Sequence, residues 1–222
     1  MDIRNLNADS VWDYENGFYW YSHPSRLNKA LAHYELYKSI VNLPGHVFEL
    51  GVYKGASLIR LATYRSALEH ESSRKIVGFD AFGKFPTREL SVEDDIHFVE
   101  RFTDAGGDGL HEDELSALLD RKQFTNIELV RGNVLDTLPA YLEAHPETRL
   151  SFLHLDMDVK EPTQFALDCL YDRVVPNGLI VFDDYNAVAG ETEAVDEFIA
   201  RKKLGIEKLP FYNVPAFVRK PG

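Results

Sequence analysis

Four aspartates in two short motifs are the residues of this chain best suited to chemistry. Asp156 and Asp158 lie in His154-Leu155-Asp156-Met157-Asp158, and Asp183 and Asp184 in Val181-Phe182-Asp183-Asp184-Tyr185. Each motif closes a short apolar run, 150–155 and 178–182, that reads as a buried strand. If the two strands are neighbours, about 4.8 Å apart, their C-terminal ends gather three or four carboxylates at the edge where open α/β sheets bind ligands. Carboxylates that close repel one another unless they share a proton or a cation. Oxygen donors select a hard divalent ion, Mg²⁺ ahead of Ca²⁺ or Mn²⁺. The plainer reading makes one or two of these aspartates helix caps, Asp158 first among them.

Two further features point to a nucleoside. Glu49-Leu50-Gly51-Val52-Tyr53-Lys54-Gly55-Ala56-Ser57 is an acid-x-Gly-x-x-x-Gly turn from a strand into a helix. Its glycines permit a sharp turn and close ligand approach, and the helix start offers free N–H groups. It matches neither GxGxxG nor a phosphate loop. Asp80 ends the next strand, about thirty residues on, where nucleoside-binding folds place the carboxylate that accepts from ribose hydroxyls.

The elements that must position these residues follow from the alternation of short apolar runs with amphipathic stretches, the mark of βα units and a mainly parallel sheet. Strands are expected at 47–50, 75–80, 126–130, 150–155 and 178–182, and a terminal hairpin at 206–211 and 216–219 makes seven. Helices are expected at 26–41, with Ser25 as N-cap, and at 57–69, 135–144, 162–171 and 191–204. Pro176-Asn177-Gly178 reads as a tight turn before the fifth strand. Residues 12–21 carry six aromatics and read either as a lid over a ligand or as an arm packed on the core. The whole of 1–222 reads as one domain, with an N-terminal arm and helix at 1–44 and an acidic insertion at 87–124.

Net charge is −12 from 24 basic and 36 acidic residues. Within 89–120, eleven carboxylates face the single base Arg101, so ten of the twelve excess negative charges lie in that stretch. Leu110, Leu115, Leu118 and Leu119 give it an apolar helix face, so it reads as a solvated helical cover; its spacing is not that of an EF-hand. An acidic chain does not grip a phosphate backbone, which excludes sequence-independent nucleic-acid binding. One cysteine, Cys169, leaves no internal disulfide and no zinc cluster. With no membrane-span-length apolar run and no signal peptide, a cytoplasmic location is expected. A homodimer is the expectation from symmetry statistics alone.

These motifs, together with His33-Tyr34-Glu35-Leu36-Tyr37-Lys38, Leu43-Pro44-Gly45-His46-Val47-Phe48 and Gly78-Phe79-Asp80-Ala81-Phe82-Gly83-Lys84-Phe85-Pro86, resemble the macrocin-type O-methyltransferases. Those are S-adenosylmethionine (SAM) enzymes of antibiotic and sugar tailoring, and the resemblance covers roughly residues 25–200. It implies a class I SAM-methyltransferase, Rossmann-like fold with helices on both faces of the sheet. It places SAM over Glu49, Gly51, Tyr53, Gly55, Ala56 and Ser57, the ribose on Asp80 beside Phe82, and the adenine near Asn133 and Val134. Asp156, Asp183 and Asp184 would bind Mg²⁺ or another hard divalent cation, with Asp156 also the base. Lys160 stands where the family usually has Tyr, in a loop expected to face the substrate. The implied reaction is in-line transfer of the SAM methyl group to a hydroxyl of a small-molecule acceptor, a sugar first and a catechol-like phenol second. A nicotinamide-dependent sugar oxidoreductase and a non-catalytic SAM-binding protein of the same fold are the alternatives.

Overall fold

The computed structural model describes residues 2–87, 90 and 92–222; Glu89 of the acidic stretch lies outside them. A seven-stranded sheet runs in the order β3-β2-β1-β4-β5-β7-β6. It comprises β1 (His46–Leu50), β2 (Ile76–Asp80), β3 (Ile127–Arg131), β4 (Leu150–Leu155), β5 (Val174–Phe182), β6 (Glu207–Lys208) and β7 (Ala216–Arg219). β1 to β5 pair in parallel, and β7 returns antiparallel to β5 and β6. The order reverses between β1 and β4, and this switch point opens a crevice at the C-terminal strand ends.

Strand residues alternate between two cores because successive side chains leave a strand on opposite faces. Val47, Phe152 and Val181 join the core under α2 (Ser25–Lys38), α3 (Ala56–Leu68) and α5 (Glu112–Arg121). Phe48, Leu153 and Phe182 join the core under α6 (Val134–Ala144), α7 (Lys160–Leu170) and α8 (Ala189–Lys202). The expected α/β architecture with helices on both faces is therefore the observed one.

Three local expectations change. Ser25 is the first residue of α2 rather than its cap; Pro24 takes that position and the Ser25 hydroxyl instead meets His23 Nδ1 at 2.9 Å. Pro176-Asn177-Gly178 is not a turn outside the sheet but an irregularity within β5: the register with β4 jumps from Leu150↔Val174 to Phe152↔Leu179, and Asn177 has φ 66°. The first hairpin strand shrinks to Glu207–Lys208.

The aromatic segment forms α1 (Val11–Tyr21), none of whose residues is buried. Trp12 and Trp20 are 73% and 70% exposed. It is neither packed on the core nor part of the cavity described below. The acidic insertion forms α4 (Glu93–Gly106) and α5. Its leucines close over α3 as expected, with Leu110, Leu115 and Leu119 in the core. One of its carboxylates departs from the solvated reading: Asp95 is buried and accepts from the Lys160 N–H at 2.8 Å, capping α7 from a different helix.

Candidate active site

A cavity of about 450 Å³ opens at the C-terminal strand ends. The turn after β1 approaches the end of β4 so closely that a Cβ on Gly51, at φ +91°, would stand 1.8 Å from the Asp156 carbonyl oxygen. Only glycine satisfies both the conformation and the contact. The ladder continues past the strands, with Asp156 N–H donating to Leu50 O at 2.9 Å and Asp183 N–H to Leu155 O at 3.0 Å, so the aspartates leave rigid backbone.

Asp80 organises the turn after β1. Its Oδ2 accepts from the Val52 and Tyr53 N–H groups at 2.8 and 2.9 Å, and its Oδ1 from Phe82 N–H at 2.6 Å. This carboxylate thereby holds the β1–α3 turn and keeps lone pairs for a ligand. Asn133 caps α6 through Leu135 N–H at 3.0 Å. Gly51, Tyr53, Ala56, Ser57, Asp80, Asn133, Val134 and Asp156 all line the cavity. Glu49, Gly55 and Phe82 do not: Glu49 is fully buried behind it, Gly55 abuts Leu115, and Phe82 lies in the core.

The four aspartates also line the cavity, in two unlike states. Asp156, Asp158 and Asp184 each offer an oxygen within 4.8 Å of the others. Burial, together with the neighbouring Asp183 and Asp184 charges, pushes Asp156 well above the usual carboxylate range, and burial with Asp184 does the same to Asp158. Asp158 reaches inward from a left-handed backbone, φ 65°. This all-oxygen set fits a hard divalent cation, which would relieve the repulsion.

Asp183 is already paired. Lys29 Nζ contacts its Oδ2, while His33 Nε2 and His154 Nε2 each lie 3.3 Å from its Oδ1. Burial raises its pKa, but the hydrogen bonds from His154 and His33 and the charge of Lys29 outweigh it and hold the carboxyl well below the usual range. His154 Nδ1 faces Glu49 Oε1 at 3.3 Å, so both ring nitrogens meet carboxylates. Burial opposes its charge, yet Asp183 and Glu49 raise its pKa well above the ordinary value, so the ring is an imidazolium. Burial lowers His33 to about 4, so it stays neutral. Glu191, fully buried, accepts from Asp184 N–H at 3.0 Å and is pushed up by its burial and by the Asp184 charge.

In this conformation, then, the close oxygen trio contains Asp158 in the place expected for Asp183. Lys160 does not face the cavity: its Nζ lies 2.8 Å from Glu193 and 2.9 Å from Glu197. The polar partners to which the sequence motifs assigned no role are Lys29, His33, His154 and Glu191. The only sequence signal for the first two was their four-residue spacing on one helix, which places them on a common face.

The profile of the macrocin O-methyltransferases matches residues 26–215. A 4′-O-methyltransferase of 8-demethyl-8-(2,3-dimethoxy-α-L-rhamnosyl)-tetracenomycin C from Streptomyces olivaceus is 29% identical over 170 residues, which is 72% of this chain and 59% of that protein. A demethyldecarbamoylnovobiocin O-methyltransferase from Streptomyces niveus is 27% identical over 179 residues, 72% of this chain and 60% of that protein. The matches thus span about three fifths of the length of these curated relatives. Among solved structures, a TDP-rhamnose 3′-O-methyltransferase of calicheamicin biosynthesis shares the fold with a TM-score of 0.73 at 24% identity, over 94% of this chain and 86% of that one. With its switch-point cavity, its Asp80-braced turn and a profile match across most of its length, the chain belongs to the macrocin O-methyltransferase family.

Proposed function

We propose that this protein is a SAM-dependent O-methyltransferase that acts, with a divalent cation and Mg²⁺ first, on a hydroxyl of a sugar or glycosylated metabolite. The observation that carries the reading is the convergence of Asp156, Asp158 and Asp184 in the same cavity as the Asp80-braced turn. The name of the Streptomyces olivaceus relative, whose acceptor carries a rhamnosyl group, supports the sugar class.

SAM would supply an electrophilic methyl carbon, and a divalent ion held by Asp156, Asp158 and Asp184 would lower the pKa of an acceptor hydroxyl much as such ions lower that of water from about 15.7 to about 7. The chain's own residues do the rest. Asp80 accepts from the ribose hydroxyls with the lone pairs its three amide donors leave free. Asn133 and Val134 flank the adenine, and the α3 N-terminus at Ala56 and Ser57 offers free N–H groups to the cofactor. Asp156 takes the acceptor proton on a carboxylate oxygen. Phe85, Leu90 and Phe102 give the cavity an apolar wall, and holding oxygen, carbon and sulfur in line is the larger part of the work.

The test is methyl incorporation from labelled SAM across nucleotide sugars and glycosylated metabolites, with and without EDTA. Transfer to a sugar hydroxyl that EDTA abolishes is the expected result. Undiminished transfer in EDTA removes the ion from the reading. Thermal stabilisation by SAM without transfer to any acceptor favours a non-catalytic binder, and stabilisation by NAD alone favours an oxidoreductase.

A further inference from the structure

We propose that Lys29 is a tethered cation that holds a divalent ion's place on Asp183, and that ion entry displaces it. This rests on the divalent-ion part of the functional reading.

The argument begins with the two oxygens of Asp183. Oδ1 faces His33 and His154, and His154 is held in turn by the buried Glu49, so that side is locked. Among the described residues, Oδ2 has Lys29 as its one hydrogen-bond partner. Lys29 sits on the second turn of α2 and its side chain is 20% exposed, so it approaches from the cavity wall rather than from the core. Its ammonium feels Asp156 and Asp184 as well as Asp183. It therefore stands among the same charges that a metal would neutralise.

An ammonium and a divalent ion on one carboxylate oxygen repel strongly at that range. They cannot both be held there. The lysine stem has four rotatable bonds, its head is a point charge readily rehydrated, and the cavity is the open direction, so Lys29 is the partner that moves. With Lys29 on Oδ2, the oxygens left to an ion are those of Asp156, Asp158 and Asp184; with Lys29 withdrawn, Asp183 joins them. The resident amine keeps the buried Asp183 compensated when no ion is bound, at the cost of weaker ion affinity, and it links ion occupancy to the wall formed by α2.

The test measures ion binding directly, on the full chain without SAM or acceptor, so it is separable from failure of the methyl-transfer reading. Mn²⁺ is the probe, followed by its electron paramagnetic resonance signal. Lys29→Met should bind Mn²⁺ about tenfold more tightly than wild type, or better, because a competing charge has been removed. In the wild type, amine-selective labelling read by mass spectrometry should rise several-fold at Lys29 when saturating Mg²⁺ is added, with the other lysines unchanged. Unaltered or weakened Mn²⁺ affinity in Lys29→Met overturns the proposal. If that variant does not fold, the wild-type labelling decides alone: Lys29 reactivity unchanged by Mg²⁺ overturns it.

Discussion

The two ends of the sheet handle buried charge in opposite ways. At the N-terminal strand ends, Arg74 is 3% exposed and its guanidinium donates to Glu69, to the Ser151 hydroxyl and to the carbonyls of Ile40, Val41, Leu43 and Gly45. Beside it, the fully buried Arg65 donates to Glu71 and to the carbonyls of Arg74, Thr125 and Asn126. Each cation there has an anion and a fan of backbone acceptors. At the C-terminal ends, Asp156, Asp158, Asp184 and Glu191 all have raised pKa values from burial and from neighbouring carboxylates, whereas Asp183 is held by Lys29 and His154. A closed network rigidifies the loops that enter the strands. An open one stores repulsion that a ligand can relieve, which is the usual relation between stability and a functional site.

The sharpest break of this contrast is Asp156→Asn. Methyl transfer should fall by at least about a thousandfold, equivalent to about 4 kcal/mol of barrier. The melting temperature in EDTA should not fall, because one repelling carboxylate has gone; a drop in melting temperature together with retained turnover would refute the assignment. The converse change, Arg74→Met, should leave the cavity's chemistry in place and lower unfolding free energy by about 3–5 kcal/mol, since Glu69 would remain buried without its cation. Urea denaturation checks this, and a loss near zero would mean that the network is not a stabilising one.

Asp80→Ala should weaken SAM binding and also loosen the turn, because three N–H groups lose a charged acceptor. Hydrogen bonds to charged groups contribute about 1.5–3 kcal/mol each, so a fall in affinity of tenfold or more is expected by calorimetry. The smallest effect concerns Glu191. Burial and the Asp184 charge hold its folded pKa well above the ordinary 4.5, so the folded state keeps a proton that the unfolded chain releases. Its contribution is complete below that unfolded value and is lost as pH rises. In EDTA, Glu191→Gln should therefore flatten the decline in stability as pH rises above about 4.5, and a variant with the wild-type pH profile in urea denaturation would contradict it.

Much of the C-terminal edge is legible in the sequence. Strand ends announce themselves by apolar runs, and Asp80, Asp156, Asp183 and Asp184 fall one to two residues after or at those ends, so their meeting follows from sheet geometry. The Gly51 turn was legible for the same reason. Arg65 and Arg74 were not, because a buried guanidinium has no periodic signature and its acceptors are carbonyls supplied by loops far apart in sequence.

Local composition, period and spacing thus determine the α/β class, the order of the units, the glycine turn after β1 and the placement of the four aspartates at strand ends. Only the tertiary structure decides which aspartate is free and which is paired. α2 precedes the first strand, so nothing in the 29–33 segment says that it will lie across the end of β5 and bring Lys29 and His33 onto Asp183. The same holds for Asp95, acidic in a solvated-looking insertion yet buried as the cap of α7. A side chain's charge is written in the sequence. Its pairing is a property of chain segments that meet only when the core has closed.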